Sequence, residues 1–458
     1  MNHIDNALAH YYDVLKGAMN GYQRSADFVP SDQFLPDFDL PVLDATMEKF
    51  LQPSGIGVAD LGDYGDCSLR LLNLMGNPGT RTTKTFGSMI NVARAVHHIR
   101  TTGERVVIIT PSSRTRPTVT ARSTALRSAV ERAVTVGLVR DTELQIVTAV
   151  PEASRHKLWS SALSDDPRLR ELNPMAVLPC EVPVHVKLMI AEFMSQHSEE
   201  FQQRYGVRLW HTLELRNYMV ADMVRALAEH DLMPDSGRGR IHAHSVSSAL
   251  GLLGLQFGHD ELAKLGIDLP ALQLMLVQHL GTPDMVLSLY HDSFDPDLVP
   301  AYRRRASDGL YVQDQDPHFP SVTFDPAEHL DATFYSRTPV TSPRINAVIR
   351  QNGGAGIVVS LYECLQRYNE VRDLIAVSGG VHLPADPRRL REWSLVMAVT
   401  GVLNGIDRGL IGDRDVLIHA SGSYSDEDYT ELGPAHSVQV QGVEDFTRAV
   451  RRAVEAGR

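Results

Sequence analysis

From about residue 61 onward, short apolar runs alternate with longer amphipathic stretches, the texture of α/β folds with parallel strands. Thr85 to Arg100 reads as a helix. Val106–Thr110 (VVIIT) reads as a buried strand with a proline just past its end. Ser123–Gly137 follows as a helix closed by glycine, then Leu144–Val150 as the next strand, an order that implies right-handed crossovers. Two further helices are predicted at Lys187–Phe201 and Leu213–Leu232, separated by YGVRLW. Arg240–His244 reads as a strand end running into the helix SVSSALGLLGL. Residues 290–345 lack periodicity and are rich in Pro, Asp and Tyr, which predicts a long loop region of the kind that often carries function. Beyond it come helices over Ser360–Leu374 and Arg388–Gly405, the strand DVLIHAS, and a terminal helix from Val443.

Residues 1–60 read as an N-terminal extension: a short helical pattern (Ile4, Leu8, Tyr12, Leu15), then the Pro- and Asp-rich connector VPSDQFLPDFDLP. The rest divides into an α/β lobe over 61–184, a helical region and second lobe with the long loop over 185–345, and a C-terminal α/β segment over 346–458 that completes a cleft. The expected fold class is therefore α/β, two-lobed, with parallel and mixed sheets flanked by helices.

Composition narrows the function. The 458 residues are 43% hydrophobic and 22% charged, enough to bury a large core. A net charge of −12 argues against a protein that coats nucleic acid. Cys67, Cys180 and Cys364 lie far apart without C-x-x-C spacing, which excludes a disulfide framework or a cysteine zinc site. The N-terminus has no signal-peptide pattern, and no apolar run has the ~18 residues of a membrane span, so a cytoplasmic protein without membrane partners is expected. Against this acidic background, residues 100–140 carry eight arginines and only Glu104 and Glu131. That island suits an anionic ligand or acidic partner; a solvated face paired to acids elsewhere is the plainer reading.

Four segments could carry chemistry. In NPGTRTTKTFGSMINVA (77–93), Lys84 falls at a loop-to-helix boundary, where the positive end of the helix dipole favours the neutral amine that Schiff-base formation or proton abstraction requires. In VVIITPSSRTRP (106–117), Ser112 and Ser113 lie just past a strand, where α/β sheets place ligands, and Arg114 and Arg116 add donors for carboxylate, phosphate or sulfate. In RIHAHSVSSALG (240–251), Ser245 is a plausible N-cap with Ser247 and Ser248 in the first turn, an anion-binding arrangement. His242 and His244 share a face of the preceding strand. An H-x-H pair can bind zinc, but no third ligand is evident in the sequence, so no metal is expected. In VLIHASGSYSDEDY (416–429), Ser421 and Ser423 follow a strand. The glycines of NGGAG (352–356) match no phosphate-loop pattern and read as a helix-linking loop.

The order of these segments resembles the fold-type II pyridoxal-phosphate enzymes, such as threonine synthase and cysteine synthase. Their N-P-T-x-S-F-K-x-R-G segment is similar to NPGTRTTKTFGSM, which puts Lys84 in the place of the Schiff-base lysine. VVIITPSS lies where that family has its S-S-G-N loop around the cofactor ring. VTGVLNGIDRGLIGDRDVLIHASG resembles the approach to the Ser or Thr that faces the pyridine nitrogen, here Ser421. The resemblance covers about a third of the chain and implies a threonine synthase-like fold. It also departs: SSRTRP lacks the asparagine, TFG replaces the residues after the lysine, and the glycine-rich phosphate loop has no clear counterpart.

Three functions follow. The first is a cofactor-free enzyme that expels sulfate or phosphate from an amino-acid-derived, carrier-protein-bound or free substrate by displacement with an internal amine, as in aziridine formation. Serines 112, 113, 245, 247 and 248 with Arg114 and Arg116 would hold the leaving anion, and Lys84, His242 or His244 would take the amine proton. The Arg/Ala-rich, lysine-poor composition is of the kind seen in high-GC actinobacteria, and aziridine-forming enzymes of specialised metabolism would fit this description. The second is a pyridoxal-phosphate enzyme of β- or γ-elimination or replacement, with Lys84 and Ser421 on the cofactor. The third is a catalytically inactive scaffold subunit. A small partner subunit or a second copy of the chain is expected to meet residues 1–60 and 290–345, which fit the core pattern least.

Overall fold

The computed structural model describes residues 2–23, 33–111, 119–180, 183–211, 216–233, 237–330 and 336–458. Two sheets dominate. The first has seven strands in the order Asn2–Ile4, Ile56–Tyr64, Cys67–Asn73, Asp415–Ala420, Arg240–Ser245, Gln273–His279, Gly354–Val359. Its first three strands pair antiparallel and the rest parallel. The second sheet has five parallel strands in the order Val438–Gln439, Met175–Leu178, Leu144–Pro151, Arg105–Pro111, Val207–His211.

Alternation explains how each sheet is covered. On Leu144–Pro151, which is buried throughout, Leu144 and Ile146 pack with Leu126 and Val130 of the helix Val119–Thr135. Val147 and Ala149 face Val186 and Phe193 of the helix Pro183–Tyr205 on the other side. In the larger sheet Met275, Val277, Ile357 and Ile418 meet Val396, Val399 and Leu403 of the helix Ser394–Asp407. Leu274, Leu276 and Leu417 point the opposite way, toward Leu252 and Leu255 of the helix Leu250–Lys264. Each such buried side chain contributes about 1.5–3 kcal/mol. No described helix is long and apolar enough to cross a membrane.

The N-terminal residues are built into this core instead of extending from it. Asn2–Ile4 pairs with Ile56–Val58, and Leu8, Leu15 and Met19 are fully buried. The irregular stretch after them is tied down by the buried Arg94, whose Nε donates to Asp37 O at 3.0 Å, and by Tyr12, whose hydroxyl donates to Pro41 O at 2.8 Å.

Other elements differ from the sequence pattern at identifiable breaks. Gly206, at φ +64°, ends the helix Pro183–Tyr205, and YGVRLW holds the strand Val207–His211. The segment expected as one helix to Leu232 is resolved as Arg216–Asp222 and Val224–Leu232. The helix expected from Arg388 starts only at Ser394, because Pro387–Arg389 forms a single tight turn. NGGAG links a helix to a strand, not two helices: a Cβ on Gly354 would lie 2.1 Å from Leu274 O, so the glycine permits the close pairing of strand Gly354–Val359.

The loop region carries three two-residue strands, Arg303–Arg304, Tyr311–Val312 and Val322–Thr323, and it is anchored by buried carboxyls. Glu328 accepts from Thr323 Oγ1 at 2.7 Å and from the Leu361 amide at 2.5 Å, and burial pushes its carboxyl up to about 7. A carboxyl raised on folding stabilises the native state below its unfolded value, and that stabilisation is lost as pH rises through about 7. Amide protection over 320–330, corrected for the intrinsic pH dependence of exchange, should therefore fall between about pH 4.5 and about pH 7, and Glu328→Gln should flatten that fall. An unchanged pH profile in the variant would show that other groups govern the loop.

Candidate active site

The turn before Lys84 is organised by Asn77. Its Oδ1 accepts from the Thr80 and Arg81 amides, both at 3.1 Å, and from Thr85 Oγ1 at 2.8 Å, while its Nδ2 donates to Thr82 O at 3.0 Å. Lys84 is the first residue of the helix Lys84–Thr102 and is half-buried. The same turn is stitched to the segment after the strand Asp415–Ala420. The Thr83 amide donates to Ser421 O at 2.9 Å, and the Ser423 amide to Arg81 O at 3.2 Å. Lys84 and Ser421, from opposite ends of the chain, thus share one seam. The Ser421 hydroxyl is buried and has no hydrogen-bond partner.

The strand Arg240–Ser245 lies beside Asp415–Ala420. Ser245 ends it and is not an N-cap: the Val246 amide continues the ladder to Val277 O at 2.9 Å, and the helix begins only at Leu250, after Ala249 at φ +50°. Ser247 and Ser248 therefore precede the first turn. The Ser245 hydroxyl is also buried and unpartnered. His242 and His244 do share a face, and both turn toward His419 of the neighbouring strand, at ring-centroid distances of 5.4 and 5.8 Å.

Behind the turn lies a buried polar chain. Arg225, 1% exposed, is held by Asp222 Oδ1 on its Nε at 2.7 Å and donates from Nη1 to His419 Nδ1 at 3.0 Å. His242 Nδ1 is 3.2 Å from His419 Nε2. Proton accounting fixes every direction. Arginine can only donate, so His419 Nδ1 accepts, its Nε2–H donates to His242 Nδ1, and the His242 proton sits on Nε2, facing Glu229 Oε2 at 3.7 Å. Burial holds His242 at about 4, against the pull of Glu229, so it is neutral. Burial alone would raise Glu229, but His242, His259 and Arg240 outweigh it and hold the carboxyl at about 2.

Glu229, His242 and His259 bring three ligand-type atoms within 4.8 Å of one another, the grouping that the H-x-H pair by itself lacked. The hydrogen-bond directions oppose a metal there. A metal on His242 Nε2 would need the proton on Nδ1, which would turn His419 Nδ1–H against the Arg225 donor.

The basic island is mostly structural. Arg100 pairs with Asp44 and Arg140 with Glu143. Arg105, Arg127 and Arg132 donate to the carbonyls of Thr142, Asn173 and Phe50. Arg122 donates to the Tyr218 hydroxyl. Ser112, Ser113, Arg114 and Arg116 lie outside the described residues. His419, Arg225 and Glu229 are additions to the sequence reading. His419 had a signal: Ile-His-Ala occurs at 241–243 and again at 418–420, in strands that become neighbours.

Pyridoxal phosphate can be tested against this residue set. A lysine at a helix start, an unpartnered buried hydroxyl at Ser421 and another at Ser245, below an open helix N-terminus, suit the aldehyde, the pyridine nitrogen and the phosphate in turn. The phosphate end is altered, since Ala249 adopts the left-handed turn conformation and the space beside Gly251 is taken by Arg225 and His244.

A sequence profile described as "Family of unknown function (DUF6002)" matches residues 3–454. No curated protein matches the chain. Among solved structures, threonine synthase from yeast superposes with a TM-score of 0.52 at 11% identity, over 99% of this chain and 92% of that one. A pyridoxal-phosphate-bound threonine synthase from Brucella melitensis gives 0.52 at 10% identity, over 90% and 85%. The fold is that of threonine synthase.

Proposed function

Because the chain belongs to the DUF6002 family, whose function is unknown, we propose its activity from the cleft itself: an enzyme that eliminates or replaces an anionic β- or γ-substituent of an amino-acid-derived substrate, with pyridoxal phosphate carried on Lys84. The observation that carries this reading is the Thr83–Ser421 hydrogen bond, which sets the lysine beside an otherwise unpartnered buried hydroxyl. When bound, the cofactor supplies an electron sink for charge developing at the substrate α-carbon.

The chain's own residues would then have distinct tasks. Ser421 would offer its hydroxyl to the pyridine nitrogen. The turn Ser245–Ala249 and the amides opening the helix Leu250–Lys264 would bind the phosphate. Lys84 Nζ would carry a proton between the substrate's α-carbon and the departing side. The closed, buried walls around Ser421, Ser245 and Thr82 would exclude water.

A second reading is favoured by the altered turn. With Ala249 and the Arg225–His244 filling at its phosphate end, the same cleft would work without the cofactor, expelling sulfate or phosphate by attack of the substrate's own amine, as in aziridine formation on a free or carrier-bound substrate. A visible spectrum with and without added pyridoxal phosphate, followed by borohydride reduction and peptide mapping, separates the two. We expect a band above about 400 nm and a pyridoxyl group fixed on Lys84. No band and no labelled lysine would overturn the cofactor reading. Release of sulfate from amine-bearing sulfate esters would then support the second, and inertness toward them would leave a scaffold.

A further inference from the structure

The interior beside the Ser245–Ala249 turn contains a pairing to which neither version of the reaction gives a task of its own. A Cβ on Gly251 would lie 3.0 Å from Arg225 Nη2 and 3.1 Å from His244 Nε2, so a guanidinium and an imidazole converge on the first turn of the helix Leu250–Lys264. His244 is 7% exposed, and its Nδ1–H donates to Ser245 O at 2.5 Å. Its Nε2 is consequently the bare, accepting nitrogen, and it has no partner. The Ser245 hydroxyl, 1% exposed and also unpartnered, stands at the same turn. Arg225 cannot swing away, because Asp222 and His419 fix two of its nitrogens, and His419 is in turn oriented by His242 and Glu229.

The groups facing His244 are cations and neutral rings. Burial and then the charge of Arg225 keep its imidazole well below the usual range; the hydrogen bond to the Ser245 carbonyl pulls the other way, and Lys84 adds the smallest lowering. His419, the remaining ring nearby, is likewise held neutral by burial and by Arg225. An oxyanion entering here would offset the Arg225 charge that adds to burial in keeping His244 bare, and a bare acceptor would repel it. Both problems are solved by one proton.

We propose that the Arg225–His244–Ser245 corner is a proton-coupled oxyanion site: a sulfate- or phosphate-type group binds to Arg225, the Ser245 hydroxyl and the helix amides while His244 Nε2 takes up one proton from solvent and becomes a donor. In that step a solvent O–H bond breaks, the Nε2–H bond forms, and the positive charge stays on the imidazole beside the anion. The inference rests on reading this turn as the anion end of the cleft, and it holds whether the oxyanion belongs to a cofactor or to a leaving group.

Inorganic sulfate is the probe, because it stays a dianion across the useful range and any pH dependence comes from the protein. Calorimetric titration of the full chain should show the Kd rising about tenfold per pH unit between about pH 6 and about pH 8, with close to one proton taken up in buffers of different ionisation heat. His244→Gln should bind with no pH slope. Arg225→Gln should lose at least about tenfold in affinity at every pH, with Arg225→Lys restoring part of it. A flat profile in the wild type, an unchanged slope in His244→Gln, or no sulfate binding at millimolar concentration would each overturn the proposal. Competition identifies the source, since either pyridoxal phosphate or an amine-bearing sulfate ester should displace sulfate. Normal proton-coupled sulfate binding in a protein that never labels Lys84 would sink the cofactor reading and leave this one standing.

Discussion

Glu229→Ala is expected to destabilise the protein by about 3 kcal/mol at neutral pH, more than a surface carboxylate could. Glu229 Oε1 takes Arg240 Nη1 at 2.6 Å, and Oε2 faces the buried His242 and the half-buried His259 at 3.7 and 3.9 Å. Removing the carboxylate strips a close partner from a half-buried guanidinium, though Asp415 at 3.4 Å also holds Arg240, which is why the loss falls at the lower end for a broken buried pair. The pH dependence has a definite sign. A carboxyl lowered from 4.5 to about 2 contributes stability that is present above its unfolded value and vanishes as pH falls through about 2. Urea unfolding of wild type and variant should therefore differ by about 3 kcal/mol at about pH 7 and converge in strong acid. A difference below about 1 kcal/mol at neutral pH would mean that the chain from Arg225 to Glu229 is held by its other members.

Gly254→Val should cost a similar amount for a different reason. A Cβ at Gly254 would lie 2.3 Å from Asp222 Cβ and 2.8 Å from Met219 O. At Gly258, one turn on, it would lie 2.7 Å from Met223 O. The helix Leu250–Lys264 thus packs against Arg216–Asp222 and Val224–Leu232 almost backbone to backbone. A valine there must push the helices apart, costing about 3 kcal/mol, and it would also shift Asp222, one of the two anchors of Arg225. Gly17→Ala is the control. It sits in the helix Tyr12–Gln23 with nothing within 4 Å, and alanine there should stabilise by about 0.5–1 kcal/mol. If Gly254→Val unfolds at the wild-type urea concentration, close packing at Gly254 is not what the helix pair depends on.

Gly254 was visible in the sequence as part of the apolar helix SVSSALGLLGL, but its partners were not. Periodicity found the helix around Lys84, the paired strands Arg105–Pro111 and Leu144–Pro151, and the strand ending at Ser421, because each carries its own local pattern. It missed Ile56–Tyr64 and Cys67–Asn73, where Asp60, Asp63, Ser68 and Arg70 interrupt the apolar pattern. It also gave residues 1–60 a peripheral place, since nothing local indicates that Leu8 and Leu15 will be covered by distant segments. The candidate site was legible in the same partial way. Lys84, His242, His244, Ser245 and Ser421 were marked by their positions at element ends. Arg225 and Glu229 were concealed on a short helix, where charged residues ordinarily mean solvent, and here all of Val224–Glu229 is buried.

The larger sheet has a consequence for how the molecule is made. Its central strand, Asp415–Ala420, is made after every other strand of that sheet, yet it sits between Cys67–Asn73 and Arg240–Ser245, both synthesised well before it. Until it arrives, two half-sheets wait with unpaired inner edges, and neither the Lys84 turn nor the His242 ring has the neighbour that orients it. Vectorial synthesis can complete the five-stranded lobe only after Val438–Gln439 as well. The seam between Lys84 and Ser421 is therefore missing from the nascent chain until Asp415–Ala420 has emerged, and the interval before that closure is when its exposed edges most need a chaperone.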